Sequence, residues 1–143
     1  MNAALSSWQF WAALSAVFAA LTAIFAKVGV EQIGADLATF IRTIVVILLL
    51  AGILIASGEY QNPATVPGRT WLFLVLSGLA TGASWLCYFR ALKIGQAAQV
   101  APIDKLSVVL VAIFGVAFLG EHLSAHHWLG VALIGAGAIL VAI

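Results

Sequence analysis

Ala101-Pro102-Ile103-Asp104-Lys105 heads the run LSVVLVAIFGVAFLG, which holds no Asp, Glu, Lys or Arg from Leu106 to Gly120. An acid and a base stand side by side where a helix enters, or has already entered, a hydrophobic layer. Ionised groups at such depth are costly, so they usually face a protein interior or a water-filled cavity and mark a pathway. The comparable feature is Arg42, embedded in the apolar stretch Leu37–Ser57. The remaining sequence reads as a frame for these three charges.

Composition sets the class. Of 143 residues, 64% are hydrophobic and 8% charged, and the mean hydropathy is +1.17. Soluble domains carry about 25% charged residues, so this chain cannot cover itself with a polar surface. It is expected to be an integral membrane protein of one domain, residues 1–143. The net charge of +1 argues against a nucleic-acid partner and supplies no polybasic patch for anionic lipid. The single Cys87 excludes an internal disulfide. Residues 1–26 are free of charge but lack a basic leading region, so they read as a retained span and not a cleaved signal.

A membrane helix needs roughly 20 mostly apolar residues. Five stretches qualify: 8–26, 37–57, 70–89, 97–119 and 125–143. Trp8 and Trp11 suit an interfacial belt at the first. Asp36 is placed to cap the second. Gly58–Arg69, with Pro63, Pro67 and Gly68, is a loop. Gly78 and Gly82 make a G-x-x-x-G pair suited to close helix packing in the third. In the fourth, Pro102 either starts the regular part or kinks it by removing a hydrogen bond.

An odd number of spans puts the two termini on opposite sides of the membrane. Doubling such a unit, by gene duplication or by dimerisation, produces two halves of inverted topology, a common plan for transporters. Lys27, Arg90 and Lys93 lie in loops on one side and Arg69 on the other. That bias puts the N-terminus outside and the C-terminus in the cytoplasm, and it is small enough to leave dual orientation open.

The last third carries a family resemblance. RALKIGQAAQVAP (90–102), FLGE (118–121) and GVALIGAG (130–137) resemble an EamA domain of the drug/metabolite transporter superfamily. That likeness implies an all-α integral membrane fold, a five-transmembrane-helix bundle forming one half of an EamA-type inverted-repeat transporter. It further implies a multi-pass protein of the cell inner membrane that is not an enzyme, needs no cofactor, and moves small organic metabolites or drugs as a dimer by alternating access. The last two helices are also similar to those of small multidrug resistance proteins. The essential glutamate of that group lies in its first helix, where this chain has no acid, so proton-coupled drug export does not carry over.

Each candidate residue has two readings. Arg42 either snorkels to a helix end or lines a cavity, paired with Asp104 or with a substrate anion. Asp104 and Lys105 form an interfacial pair, or divide their roles between cavity and headgroups, because neighbours on a helix diverge by about 100°. Asp104 is also the candidate proton- or cation-sensitive group, and Ser107 extends its face. Ser77, Thr81, Ser84 and Tyr88 form one polar seam along the third span, lining a pathway or bridging helices. Trp85, Tyr88 and Phe89 offer an aromatic wall to an organic cation, or an interfacial belt beside Arg90. Asp36 and Glu31 read as solvated loop or cap groups. His122, His126 and His127 read as loop residues and not as a metal site. Gly130, Ala132, Gly135, Ala136 and Gly137 give the fifth span a small-residue surface for a homodimer, expected to be antiparallel. Beyond itself, the expected partners are a small organic solute, protons and the lipid bilayer. A non-transporting subunit that packs against another membrane protein is the competing reading. No nucleophile–base pair, phosphate loop or dinucleotide fingerprint is present.

Overall fold

A computed structural model describes residues 7–143. Helices α1 (Trp8–Val30), α2 (Ala35–Ser57), α3 (Gly68–Ile94), α4 (Ala97–Asp104), α5 (Ser107–Leu119) and α6 (Ala125–Ala142) follow one another. Five spans are long and apolar enough to cross a membrane, α4 and α5 together making the fourth. The protein is therefore an all-α, multi-pass membrane protein.

Two helices run past their expected ends. α1 continues three residues beyond Lys27, and α3 continues from Phe89 through Arg90 and Lys93 to Ile94. Their long basic side chains let an apolar helix carry on into the interface, because the stem stays on apolar surface while the charge reaches polar partners. α2 begins at Ala35 with Gly34 as its N-cap, so Asp36 lies inside the first turn and makes no cap hydrogen bond. The expected capping role is replaced by an ion pair, described below.

The fourth span is broken. Pro102 lies inside α4 and lacks the N–H that would bond to the carbonyl four residues back. Three-residue hydrogen bonds carry the chain through the interruption: Lys105 N–H to Pro102 O at 3.0 Å, Leu106 N–H to Ile103 O at 3.0 Å and Val108 N–H to Lys105 O at 2.9 Å. The regular part begins at Ala97, so Pro102 does not start it, and the interruption follows it at Lys105 and Leu106.

The chain forms two compact units. One comprises the described residues up to Phe25 with Ile94–Ile143, and the other Ala26–Lys93. In the first, α6 packs on α4 and α5. A Cβ on Gly135 would stand 3.2 Å from the Val109 methyl, so the bare glycine allows α5 and α6 to approach closely. α5 ends at Gly120, whose φ of 68° is left-handed, and Glu121 N–H closes the turn on Gly115 O at 3.1 Å. Gly120 N–H turns back to the same carbonyl, and an L side chain is strained in this left-handed helix stop. Gly120→Ala is expected to cost about 1 kcal/mol, read as a lowered unfolding temperature in neutral detergent with the helical content unchanged. His126 and His127, expected in a loop, lie in the first turn of α6, where Ser124 N–H donates to His127 Nδ1 at 3.3 Å and gives His127 a capping role.

In the second unit, burial gathers where α1 ends, α2 starts and α3 ends. Ala26, Val30, Ala35, Ala38, Thr39, Phe89 and Leu92 are all buried. At the other end, Asn62 Oδ1 accepts from Ala64 N–H at 3.0 Å and holds the short 3-10 turn Pro63–Thr65. The Trp71 indole N–H donates to Pro63 O at 3.4 Å, tying that loop to α3.

Candidate functional site

The buried end of the second unit is also its most charged. Lys27, at the close of α1, donates to Leu92 O in the last turn of α3 at 2.8 Å. Lys93 donates to Ile33 O in the α1–α2 turn. Arg90 meets Asp36 through both Nε and Nη2, at 3.1 and 3.0 Å to Oδ1. Cations suit the carbonyl-rich ends of helices, and a forked guanidinium suits a carboxylate. Together these contacts bring three helix ends onto one membrane face.

Arg42 lies one step deeper. It is seven residues into α2, about 10 Å along the axis from Ala35. Its guanidinium carbon stands 4.0 Å from the centroid of the Trp85 ring and 5.6 Å from that of Phe89. Trp85 and Phe89 are four residues apart on α3 and share a face of that helix. The Tyr88 phenol is close enough to interact electrostatically with the Arg42 charge. Thr39 and Thr43 return their hydroxyls to Ala35 O and Thr39 O, both at 2.8 Å, so this flank of α2 satisfies itself. Arg42 is half-buried and lies in no ion pair among the described residues of its unit.

This arrangement changes one expectation. The aromatic wall that the sequence offered to an organic cation already holds one, the guanidinium of Arg42, because the electron-rich ring face attracts the nearest available positive charge. Arg42 has its aromatic partners, and Asp104 its lysine, inside their own units.

In the first unit, Asp104 and Lys105 form an ion pair, Nζ to Oδ2 at 3.2 Å, with side chains 34% and 55% exposed. The backbone stays right-handed through Lys105 and Leu106, so the divergence of these neighbours is overcome by the side chains. α4 stops at Asp104, and the flexible lysine stem closes the distance. Ser107 opens α5 and is exposed.

The polar seam on α3 divides. Ser77, Thr81 and Ser84 are exposed on this chain, while Trp85 and Tyr88 are half-buried. The Thr81 hydroxyl donates to Ser77 O at 2.9 Å. A Cβ on Gly78 or Gly82 would meet nothing within 4 Å. On α6, Gly135 is buried and committed to Val109, which withdraws it from the surface expected to meet a second copy. Gly130 and Gly137 have open space around them and lie away from Gly135 on α6, five and two residues from it, which is about 140° and 200° around the helix.

The Asp36–Arg90 pair and the two lysine-to-carbonyl contacts escape a residue-by-residue reading of the sequence. The available signal is topological: the end of the first span, the start of the second and the end of the third must share one face.

A five-span all-α chain with an arginine lodged on aromatic rings and a proline-broken span has the build of a membrane transporter unit. The chain belongs to the EamA-like transporter family, whose model matches residues 6–143. It is 69% identical over 137 residues to a Sinorhizobium protein named "Uncharacterized transporter in cobO 3'region", covering 96% of this chain and 97% of the relative. It is 34% identical over 107 residues to a Salmonella newport protein named "Probable 4-amino-4-deoxy-L-arabinose-phosphoundecaprenol flippase subunit ArnE", covering 67% of this chain and 94% of the relative. A Pseudomonas fluorescens protein of the same name is 32% identical over 72 residues, half of this chain and 60% of its own length. No solved structure gives a significant match. The protein is a membrane transporter of the EamA-like family.

Proposed function

We propose that this chain is one half of a dimeric secondary transporter of the cell inner membrane, which moves small organic solutes by alternating access. The observation that carries the reading is Arg42, a permanent charge kept inside an apolar helix. A structural helix gains little from such a charge, whereas a solute pathway needs polar groups at membrane depth. The broken fourth span, with Asp104 and Lys105 at the break, supports the same reading, because interrupted helices supply binding groups in transporters.

Exposure of Ser77, Thr81 and Ser84 supports a second wall. Hydroxyls turned to lipid contribute nothing to packing, and a second copy related by inverted topology would cover them. The open glycines Gly78, Gly82, Gly130 and Gly137 allow another helix to approach closely. The names of the ArnE relatives favour a second reading, in which the chain is a subunit that pairs with a different membrane protein and handles a lipid-linked substrate.

Purified protein in liposomes is expected to give counterflow with at least one solute of a metabolite panel, with single-cysteine tags at both termini reacting from both sides of intact cells. No flux across the panel would leave the subunit reading. Termini that react from one fixed side each would exclude the antiparallel homodimer.

A further inference from the structure

We propose that the outer edge of Arg42, held on Trp85, is a docking point for an oxyanion, a phosphate ester or free phosphate, carried by the transported solute or by a lipid headgroup. This deepens the transporter reading and rests on it. The charged end of the unit carries four cations, Lys27, Arg42, Arg90 and Lys93, against the carboxylates Glu31 and Asp36. Lys27 and Lys93 are committed to backbone carbonyls and Arg90 to Asp36. Arg42 alone of the four has aromatic rings as its described contacts, with the Trp85 centroid at 4.0 Å.

Stacking engages the face of a guanidinium and leaves its in-plane N–H groups pointing outward. Those N–H groups form a planar fork that matches phosphate in a bidentate manner, as a lysine ammonium cannot. The ring also fixes the guanidinium, so less side-chain freedom is lost when the anion binds. Depth adds to the attraction. Arg42 stands five residues inside the apolar stretch Leu37–Ser57 and is half-buried, and where water screens less a charge-assisted hydrogen bond is stronger. An ammonium ligand would meet repulsion at the same place.

The test uses the purified full chain in neutral maltoside micelles, with unfolding temperature as the readout. Dodecyl phosphate is expected to stabilise the wild type saturably, and dodecyltrimethylammonium to give no saturable effect. Arg42→Gln is expected to weaken dodecyl phosphate binding by about tenfold or more, the loss of one charge-assisted pair. Arg42→Lys and Trp85→Leu should each weaken it by about threefold or more, because each removes the fixed fork while keeping a positive charge. Arg69→Gln, in which the lost guanidinium stands 5.8 Å from the Phe73 ring at the far loop, should bind as the wild type does. If Arg42→Gln gives no folded protein, the Arg42→Lys and Trp85→Leu variants carry the test.

Inorganic phosphate distinguishes the source. Protection by phosphate alone at millimolar concentration points to a soluble solute, and protection by the alkyl ester only points to a lipid headgroup. Either result supports the site. Absence of saturable protection in the wild type, or equal weakening by Arg69→Gln, overturns it. Because binding is read without flux, a wild type that gives counterflow but no saturable protection refutes this inference and leaves the transporter reading standing.

Discussion

Arg42→Ala is expected to reduce substrate flux at least hundredfold while expression and membrane insertion stay near wild type. The sign on stability follows from two opposed terms. Removing the guanidinium forfeits its attraction to Trp85 and Phe89, worth about 0.5–2 kcal/mol in cation–π pairs. It also removes the cost of inserting an arginine, about 2.5–3.5 kcal/mol at a helix centre and less at the depth of Arg42. The terms nearly offset, so the variant should insert as readily as the wild type. A hundredfold loss of flux corresponds to about 2.7 kcal/mol of lost interaction with the solute. Counterflow in liposomes, normalised to inserted protein, is the measurement. Unchanged flux would leave Arg42 as a residue that only rests on its aromatic neighbours.

Asp104→Asn is expected to abolish the pH dependence of uptake while solute binding is retained. Asp104 is a carboxylate inside a membrane-spanning segment, at the interruption that follows Pro102, and its described partner is the ammonium of Lys105 at 3.2 Å. A carboxylate at a helix interruption, one-third exposed, is within reach of water and of a cation there. Asparagine keeps the shape and removes the charge, so it separates coupling from packing. The experiment compares initial uptake rates across a pH series, with binding followed separately by thermal stability. A variant with the full wild-type pH profile would exclude Asp104 from the coupling step and direct attention to Glu31 and Asp36.

Some of the protein follows from the sequence alone, and the reason is the solvent. A bilayer demands about 20 apolar residues per crossing and internal satisfaction of every backbone group, so hydropathy by itself yields five helices. The ends at Ser57 and Leu119 are equally legible, because Gly58 and Gly120 take the left-handed backbone that stops a helix. The other ends slip by a few residues where Lys27, Arg90 and Lys93 stand, since a basic side chain reads as the end of a span while its helix continues through the interface.

The partners of the charges were settled only by tertiary structure. Along the sequence, Asp104 and Lys105 look divergent, Trp85 and Phe89 look available, and Gly135 looks free for another copy. Folding brings residues distant in sequence together: Arg42 onto Trp85, Asp36 onto Arg90, Lys27 onto Leu92, Gly135 onto Val109. Which face of each apolar helix meets another is decided by side-chain shape and packing, because lipid offers every face the same apolar surroundings and no hydrophobic stripe is required.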